Sequence, residues 1–129
     1  MSPTTIPNIA PWLAVRDAQQ AVDYYKAAFG ALELYRLAAD DGSLAVAQLS
    51  VGEAPFWVQA DSNVSPSGAG TGSVRMILSV DDPDAVFERA VAAGAAVVAA
   101  IHEDYGWRTG RIRDPFGHDW EMSKQVSSG

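Results

Sequence analysis

The run GWRTGRIRDPFGHDWEM, residues 106–122, decides the fold of this chain. Its centre, DPFG at residues 114–117, has what a type I turn prefers: a side-chain acceptor first, proline with a preset φ second and glycine last. On either side, residues 109–113 and 119–123 alternate apolar with polar side chains, which is typical of strands with one buried face. The run therefore predicts a hairpin close to the end of the chain.

The alternation assigns the hairpin side chains to two faces. Ile112, Trp120 and Met122 share one face, which we expect to point into the core. Glu121 belongs to the other face, together with the polar residues on either side of it. A carboxylate on a regular strand that is aimed away from the core is in a position suited to a functional site.

The motif RDPFGHDWE, residues 113–121, also carries a family resemblance. It follows a strand near the end of a short chain, and in this it resembles the end of a vicinal oxygen chelate module. That superfamily includes glyoxalase I, bleomycin-resistance proteins and extradiol dioxygenases, and the motif is most similar to the small PhnB-like branch. The resemblance implies an α+β fold of two βαβββ modules, each a helix on a four-stranded curved sheet, which together form a cleft.

Composition limits the classes of function. A chain of 129 residues can form one domain, or two small modules that share a core, and without cysteine it has no disulfide or thiol chemistry. A net charge of −7 argues against nucleic acid and anionic membranes as partners, because both require basic patches. No stretch reaches the ~18 apolar residues of a membrane helix, and no signal-peptide pattern opens the chain. We expect a soluble, cytoplasmic protein.

The first half of the chain predicts a strand, a helix and three further strands. Asp17 is the expected N-cap of the helix and Gly30 its C-cap. Apolar side chains at helical spacing lie between them: Ala18, Ala21, Val22, Tyr25 and Phe29. The predicted strands cover residues 9–15, 32–38, 43–51 and 55–60.

Residues 63–73, NVSPSGAGTGS, are rich in glycine and serine and predict a linker. It separates a first module, residues 1–62, from a second, residues 74–129. The second begins with a strand at residues 74–80, followed by a helix with Asp82 as N-cap, proline at its first position and Gly94 at its end. A strand at 95–101 and the two hairpin strands complete it.

The two halves also match each other in sequence. AVDYYKAAFGA at residues 21–31 aligns with AVFERAVAAGA at residues 85–95, at a constant offset of 64 residues. The same order of elements surrounds both segments. The match argues for an internal βαβββ repeat, in agreement with the family resemblance.

The resemblance also implies where a divalent metal would bind. Matching the strands to the family pattern places the four ligand positions at Ala10, Trp57, Arg75 and Glu121, of which only Glu121 can bind a metal. Divalent ions need several carboxylate or imidazole ligands. A register shifted by one residue offers no better ligands, namely Ile9, Phe56, Val74 and Trp120. We therefore expect neither a metal nor another cofactor.

What the family site retains is an aromatic cleft with one charge pair. We expect seven side chains to line it: Trp12, Trp57, Gln59, Arg75, Ile77, Trp107 and Glu121. The tryptophans have an alternative role, core packing for Trp12 and Trp57 and an exposed loop anchor for Trp107. Arg75 and Glu121 contact a ligand, form a buried or half-buried ion pair that satisfies only itself, or do both.

Other polar residues near the hairpin are expected to be structural or solvated. His118 should be solvated or bonded to the hairpin backbone. Arg108, Arg111 and Arg113 should form the solvated side of a strand.

These observations favour a metal-free homodimer that binds or sequesters a planar aromatic small molecule, such as an antibiotic. The alternative is an enzyme of the glyoxalase or dioxygenase kind, a lyase, isomerase or oxygenase. It would need metal ligands that the registers do not place, or acid-base chemistry led by Glu121. A third possibility is a housekeeping protein whose cleft takes no ligand.

Overall fold

Two βαβββ units follow one another in this computed structural model, which describes residues 8–64 and 74–127. The first contains β1 (Trp12–Val15), α1 (Ala18–Phe29), β2 (Leu32–Ala38), β3 (Leu44–Val51) and β4 (Ala54–Ala60). The second contains β5 (Met76–Ser79), α2 (Pro83–Ala92), β6 (Ala96–Asp104), β7 (Trp107–Arg113) and β8 (Asp119–Gln125).

The two sheets have the same topology. The strand order is β1-β4-β3-β2 in the first sheet and β5-β8-β7-β6 in the second. In each sheet the first strand pairs in parallel with the last, and the other pairs are antiparallel. The predicted α+β fold and internal repeat are confirmed.

Capping residues set the helix ends as predicted. The Asp17 carboxylate accepts a hydrogen bond from the Gln20 backbone at 3.0 Å, and Gly30 ends α1 with a φ of 68°. The Asp82 carboxylate accepts from the Ala85 backbone at 3.1 Å at the start of α2. The hairpin turn is present too, since the Gly117 amide donates to the Asp114 carbonyl at 3.1 Å.

The predicted strands 9–15 and 74–80 are shorter than expected. The first begins only at Trp12, because Pro11 has no amide to donate, although its carbonyl still accepts from the Trp57 amide at 2.9 Å. Ile9, outside the strand, is 98% exposed. The second begins at Met76. Most of the predicted linker, residues 65–73, lies outside the described residues.

The helices lie between the two sheets. Helix α1 packs on β3 and β4, α2 packs on β6, β7 and β8, and the helices contact each other. Tyr25 of α1 reaches the second module, where its ring lies 5.5 Å from that of Trp120. Ile112, Trp120 and Met122 are at most 3% exposed, as the alternation predicted. Both modules therefore share one core.

Asp114 joins the modules at this core. Its carboxylate, in a residue that is 3% exposed, accepts from the Tyr25 hydroxyl at 2.5 Å and from the Trp120 indole at 2.9 Å. It also accepts from the backbone amides of Phe116 and His118 at 2.9 and 3.0 Å. Burial, followed by the neighbouring Asp114 charge, raises the pKa of Tyr25 well above its ordinary value, so its hydroxyl keeps the proton that it donates.

His118 forms a second link between the modules. Its Nε2 lies 2.9 Å from the carbonyl oxygen of Ala14 in β1, and the side chain is partly buried. The expectation that it is solvated or bonded to the hairpin is therefore wrong, because the shared core brings β1 next to the turn.

This layering decides where a site can form. The inner face of each sheet is used by the shared core, so the other two faces point outward on two sides of the molecule. We call them the outer faces. Within the described ranges, no hydrogen bond, ion pair or ring contact joins the paired indoles of the first outer face to the ion pairs of the second.

Candidate functional site

The outer face of the first sheet carries a stacked pair of indoles. Trp12 on β1 and Trp57 on β4 are register neighbours, with ring centroids 5.7 Å apart and planes inclined by 28°. Tyr35 on β2 meets Trp57 edge-on at 6.1 Å. Trp12 is 52% exposed, so the pair presents flat apolar surface to solvent.

Gln59 fixes the orientation of the outer indole. It lies two residues beyond Trp57 on β4, hence on the same face, and its Oε1 accepts from the Trp12 Nε1 at 2.8 Å. Beneath this face the core is complete: Leu13, Val15, Phe56 and Val58 are each at most 5% exposed. We call Trp12, Tyr35, Trp57 and Gln59 the aromatic face.

The outer face of the second sheet is charged instead. Glu121 on β8 pairs with Arg75, whose Nε lies 2.9 Å from its Oε1, and accepts from the Thr109 hydroxyl at 3.0 Å. The Glu121 side chain is 16% exposed and that of Arg75 is 47% exposed. Of the interpretations left open by the sequence, the ion pair is the one that this geometry displays.

A second carboxylate on this face is held in the same way. Asp119 accepts from Arg113 at 2.8 and 3.2 Å. Hydrogen bonds from Arg113, followed by the charges of Arg113, Arg111 and His118, lower the pKa of Asp119 below its ordinary value, while burial opposes the shift. Arg111 comes no nearer than 3.8 Å to this carboxylate. The charged face is defined by six residues: Arg75, Thr109, Arg111, Arg113, Asp119 and Glu121.

The remaining predicted residues flank the charged face. Ile77 on β5 is the register neighbour of Glu121 and is 53% exposed. Trp107 begins β7 and is 41% exposed. It borders an open cavity of about 530 Å³, lined also by Ser79, Val80, Asp81, Ser123, Lys124 and Gln125.

The structure thus brings the predicted residues together in two groups. Trp12, Trp57 and Gln59 contact one another on the first sheet. Arg75, Ile77 and Glu121 are neighbours on the second sheet, with Trp107 at one end of it. The two groups lie on different outer faces.

Sequence reasoning missed part of the charged face. Arg111 and Arg113 lie on it beside Thr109, as their alternation with Gly110 and Ile112 could have indicated. Arg108 lies on the opposite face of β7, where it binds Asp84 of α2 through two contacts of 2.6 Å. The expectation that all three arginines form one solvated side is therefore wrong.

The residues at the implied metal positions do not fit a divalent ion. Within residues 8–64 and 74–127, no three His, Cys, Asp or Glu side chains are grouped so that they could hold one. Glu121 is occupied by a guanidinium and a hydroxyl. Ala10, just before β1, and Arg75, just before β5, line one apolar groove. Neither side chain has an atom that can act as a ligand to a metal cation.

In the described ranges no helix has the length and apolar character needed to cross a membrane.

Comparison with known proteins gives one family and close relatives. Residues 5–122 match the model of the Glyoxalase/Bleomycin resistance protein/Dioxygenase superfamily. An uncharacterized protein of Mycobacterium bovis is 38% identical over 128 residues, which cover 93% of this chain and 84% of the relative.

Solved structures share the arrangement of both modules. TioX from Micromonospora sp. ML1 is 31% identical with a TM-score of 0.75, over 93% of this chain and 99% of that chain. A PhnB protein from Bacillus cereus (16% identity, TM-score 0.73, 92% and 99% covered) supports the PhnB-like resemblance at the level of the fold. A bleomycin-binding protein complexed with bleomycin is likewise similar in fold (16% identity, TM-score 0.68, 92% and 98% covered).

Proposed function

The chain belongs to the glyoxalase/bleomycin resistance protein/dioxygenase superfamily, and from this premise we propose that it binds a planar aromatic small molecule without metal and holds it by stacking. Membership alone does not choose between a binder and an enzyme, because one fold carries many activities. The observation that carries the proposal is the stacked pair of Trp57, which is partly buried, and Trp12, which is 52% exposed.

The indole pair is not needed to fill the core. Leu13, Val15, Phe56 and Val58 already close the inner face of the same strands. Exposing large aromatic rings to water is unfavourable, and here Gln59 and Tyr35 hold them in a fixed orientation. A rigid, flat apolar surface binds a flat apolar ligand with little loss of conformational entropy.

The charged face favours binding over metal chemistry. Glu121 is the carboxylate that the family pattern would offer to a metal, and Arg75 and Thr109 already bind it. The same contacts compete with any role as a free general base. A bleomycin-binding protein with a similar fold, solved in complex with bleomycin, is a precedent for small-molecule binding on this fold.

A second copy of the chain completes the proposed cleft. The two outer faces lie apart in one chain, so Trp12, Trp57 and Gln59 of one subunit would face Arg75, Ile77, Trp107 and Glu121 of the other. Three leucines on the edge strand β2 support such an interface, because each is 48 to 64% exposed in a single chain: Leu32, Leu34 and Leu37.

Ligand binding is tested by quenching of tryptophan fluorescence with a panel of planar aromatic compounds. Any hit is then titrated against Trp12→Ala and Trp57→Ala, with Tyr105→Ala, an 89% exposed aromatic outside the aromatic face, as control. Loss of one stacked indole should cost roughly 1 to 3 kcal/mol of affinity, as for bases stacked on aromatic side chains. If both variants fold and bind the hit as tightly as the parent, the aromatic face is not the binding site.

Assembly is tested by sedimentation equilibrium at micromolar concentration, which should give about twice the chain mass of 13.7 kDa. Mixed dimers give a sharper result. When Trp57→Ala and Glu121→Ala chains are co-expressed, a cleft built from two subunits leaves one intact site per mixed dimer. Recovery of ligand binding supports this arrangement, whereas a monomer, or no recovery in a purified mixed dimer, contradicts it.

A further inference from the structure

Arg111 differs from Arg75 and Arg113 because, among the described residues, its guanidinium forms no hydrogen bond with a carboxylate. Its Nη2 stops 3.8 Å from Asp119, beyond hydrogen-bond distance. Its Nε is buried with no hydrogen-bond partner, the one such side-chain atom in the part of the chain that the structure describes. By contrast, Arg75 and Arg113 each bind a carboxylate at 2.8 to 2.9 Å. Within the described residues, the Arg111 guanidinium therefore has one long ion pair, with Asp119, and no hydrogen bond for the five donors that such a group carries.

The surroundings of Arg111 leave a local positive charge. The charged face contains three arginines and two carboxylates, which gives it a net charge of +1 in a chain whose net charge is −7. Arg111 is the register neighbour of Glu121, and Glu121 is already bound by Arg75 and Thr109. Both nearby carboxylates are thus engaged by other groups.

We propose that Arg111 binds an oxyanion on the ligand, so that the preferred ligands are aromatic acids, with a carboxylate or similar group beside the ring system. The inference rests on the proposed function, which supplies the stacking surface. A guanidinium binds such a group through two parallel hydrogen bonds, which makes the contact directional. The Arg111 side chain is 35% exposed on the outer face, so its terminal nitrogens can be reached from solvent.

The test compares two matched probes, 2-naphthoate and 2-naphthamide. They share one ring system and differ in charge. We expect the parent protein to bind the acid about tenfold more tightly than the amide, which corresponds to one charge-assisted contact that water partly screens. Arg111→Gln should remove this preference and leave the affinity for the amide unchanged. Arg111→Lys should keep part of it, because the charge stays and the planar fork is lost.

Two controls separate a specific contact from general electrostatics. Arg16→Gln removes one positive charge from an exposed position before α1 and should leave the tenfold preference intact. Added salt should weaken binding of the acid and not of the amide. Arg111→Gln removes only a 3.8 Å ion pair with Asp119 and no hydrogen bond, so it should lower the melting temperature less than Arg113→Gln, which removes two hydrogen bonds to the same carboxylate.

The outcomes distinguish this inference from the proposed function. If the amide binds with sensitivity to Trp12→Ala and the acid binds no tighter, the oxyanion contact is wrong and stacking stands. If the acid is preferred and Arg111→Gln keeps the preference, Arg111 is not the residue responsible. If neither probe nor any other planar aromatic compound binds, the proposed function fails and this inference fails with it.

Discussion

The two outer faces differ although the sheets beneath them are built alike. Strand order, parallel closure and the helix on the inner face are the same in both modules. Yet the aromatic face presents stacked rings and one amide, whereas the charged face presents three arginines and two carboxylates. The two modules therefore share their topology, whereas their outer faces carry different side chains.

This difference assigns separate tasks to the two halves of the proposed cleft. Stacking on the aromatic face supplies affinity through the apolar area that it buries, and it has little preference for a particular ring. Paired charges supply orientation and preference for a functional group. A cleft made from one face of each kind therefore has both properties, which a cleft made from two identical faces would lack.

The largest expected effect comes from breaking the core on which both faces rest. Asp114→Ala leaves the buried Tyr25 hydroxyl and Trp120 indole without their acceptor, and the loss should be about 3 to 5 kcal/mol. Urea denaturation measures it. Asp41→Ala is the matched control, since Asp41 accepts two bonds from Ser43 in an exposed turn. Equal losses for the two variants would contradict the role of Asp114 as the link between modules.

A smaller effect should follow from breaking the charged face alone. Glu121→Ala removes the acceptor of Arg75 and Thr109, and because Arg75 is nearly half exposed the loss of stability should be roughly 1 kcal/mol. Trp12→Ala should instead cost affinity and little stability. Thermal melts of both variants measure the loss of stability. A double-mutant cycle of Arg75→Ala and Glu121→Ala then isolates the contribution of the ion pair between these two residues. An unchanged melting temperature for Glu121→Ala would mean that the ion pair contributes nothing to folding.

The charged face should also respond to acid where the aromatic face does not. The pKa of Asp119 is lowered from 3.8 in the folded protein, so its contribution to stability is present above that value and is lost as the pH falls through the lowered one. The stability difference between the parent and Asp119→Asn should therefore be constant above about pH 5 and shrink as the pH falls further. Glu33 and Asp84 also have lowered pKa values, and the comparison with Asp119→Asn removes their contribution. A difference that stays constant with pH would contradict the assignment.

The smallest expected effect is that of a chelator. Because Arg75 occupies one family ligand position and binds Glu121 at another, EDTA should change neither the melting temperature nor ligand affinity. Elemental analysis should find well under one equivalent of zinc, nickel, iron or manganese. Stoichiometric metal that resists dialysis would overturn the assignment of the strand registers.

Local patterns predicted the helices and strands and their order, and the family resemblance implied how these elements are arranged. Asp17, Gly30 and Asp82 act within one or two turns of helix, and the burial of Trp120 follows from alternation along a single strand. The position of Gln59 on the face of Trp57 follows from the same rule. These features depend on neighbours in sequence, so the sequence alone discloses them.

The contacts between elements could not be predicted in this way. The bond from Tyr25 to Asp114 spans 89 residues, and no local signal announces it. Arg111 and Arg113 look alike in sequence and each lies opposite a carboxylate in the register, and only the side-chain contacts show that Arg113 forms hydrogen bonds while Arg111 does not. Likewise, the placement of both helices between the sheets separates the two groups of predicted site residues, which family resemblance treats as one cleft.

The setting of Trp120 gives the protein an internal optical reporter. Its ring lies 4.6 to 5.5 Å from those of Phe29, Phe56 and Tyr25, all on the first module, and it is 3% exposed. Light absorbed by Tyr25 should reach this indole efficiently while the modules stay docked, and the emission of the buried Trp120 should be blue-shifted. Emission from the half-exposed Trp12 should lie further to the red and change when a ligand stacks on it. The two indoles therefore respond to different events, Trp120 to the joining of the modules and Trp12 to the filling of the cleft.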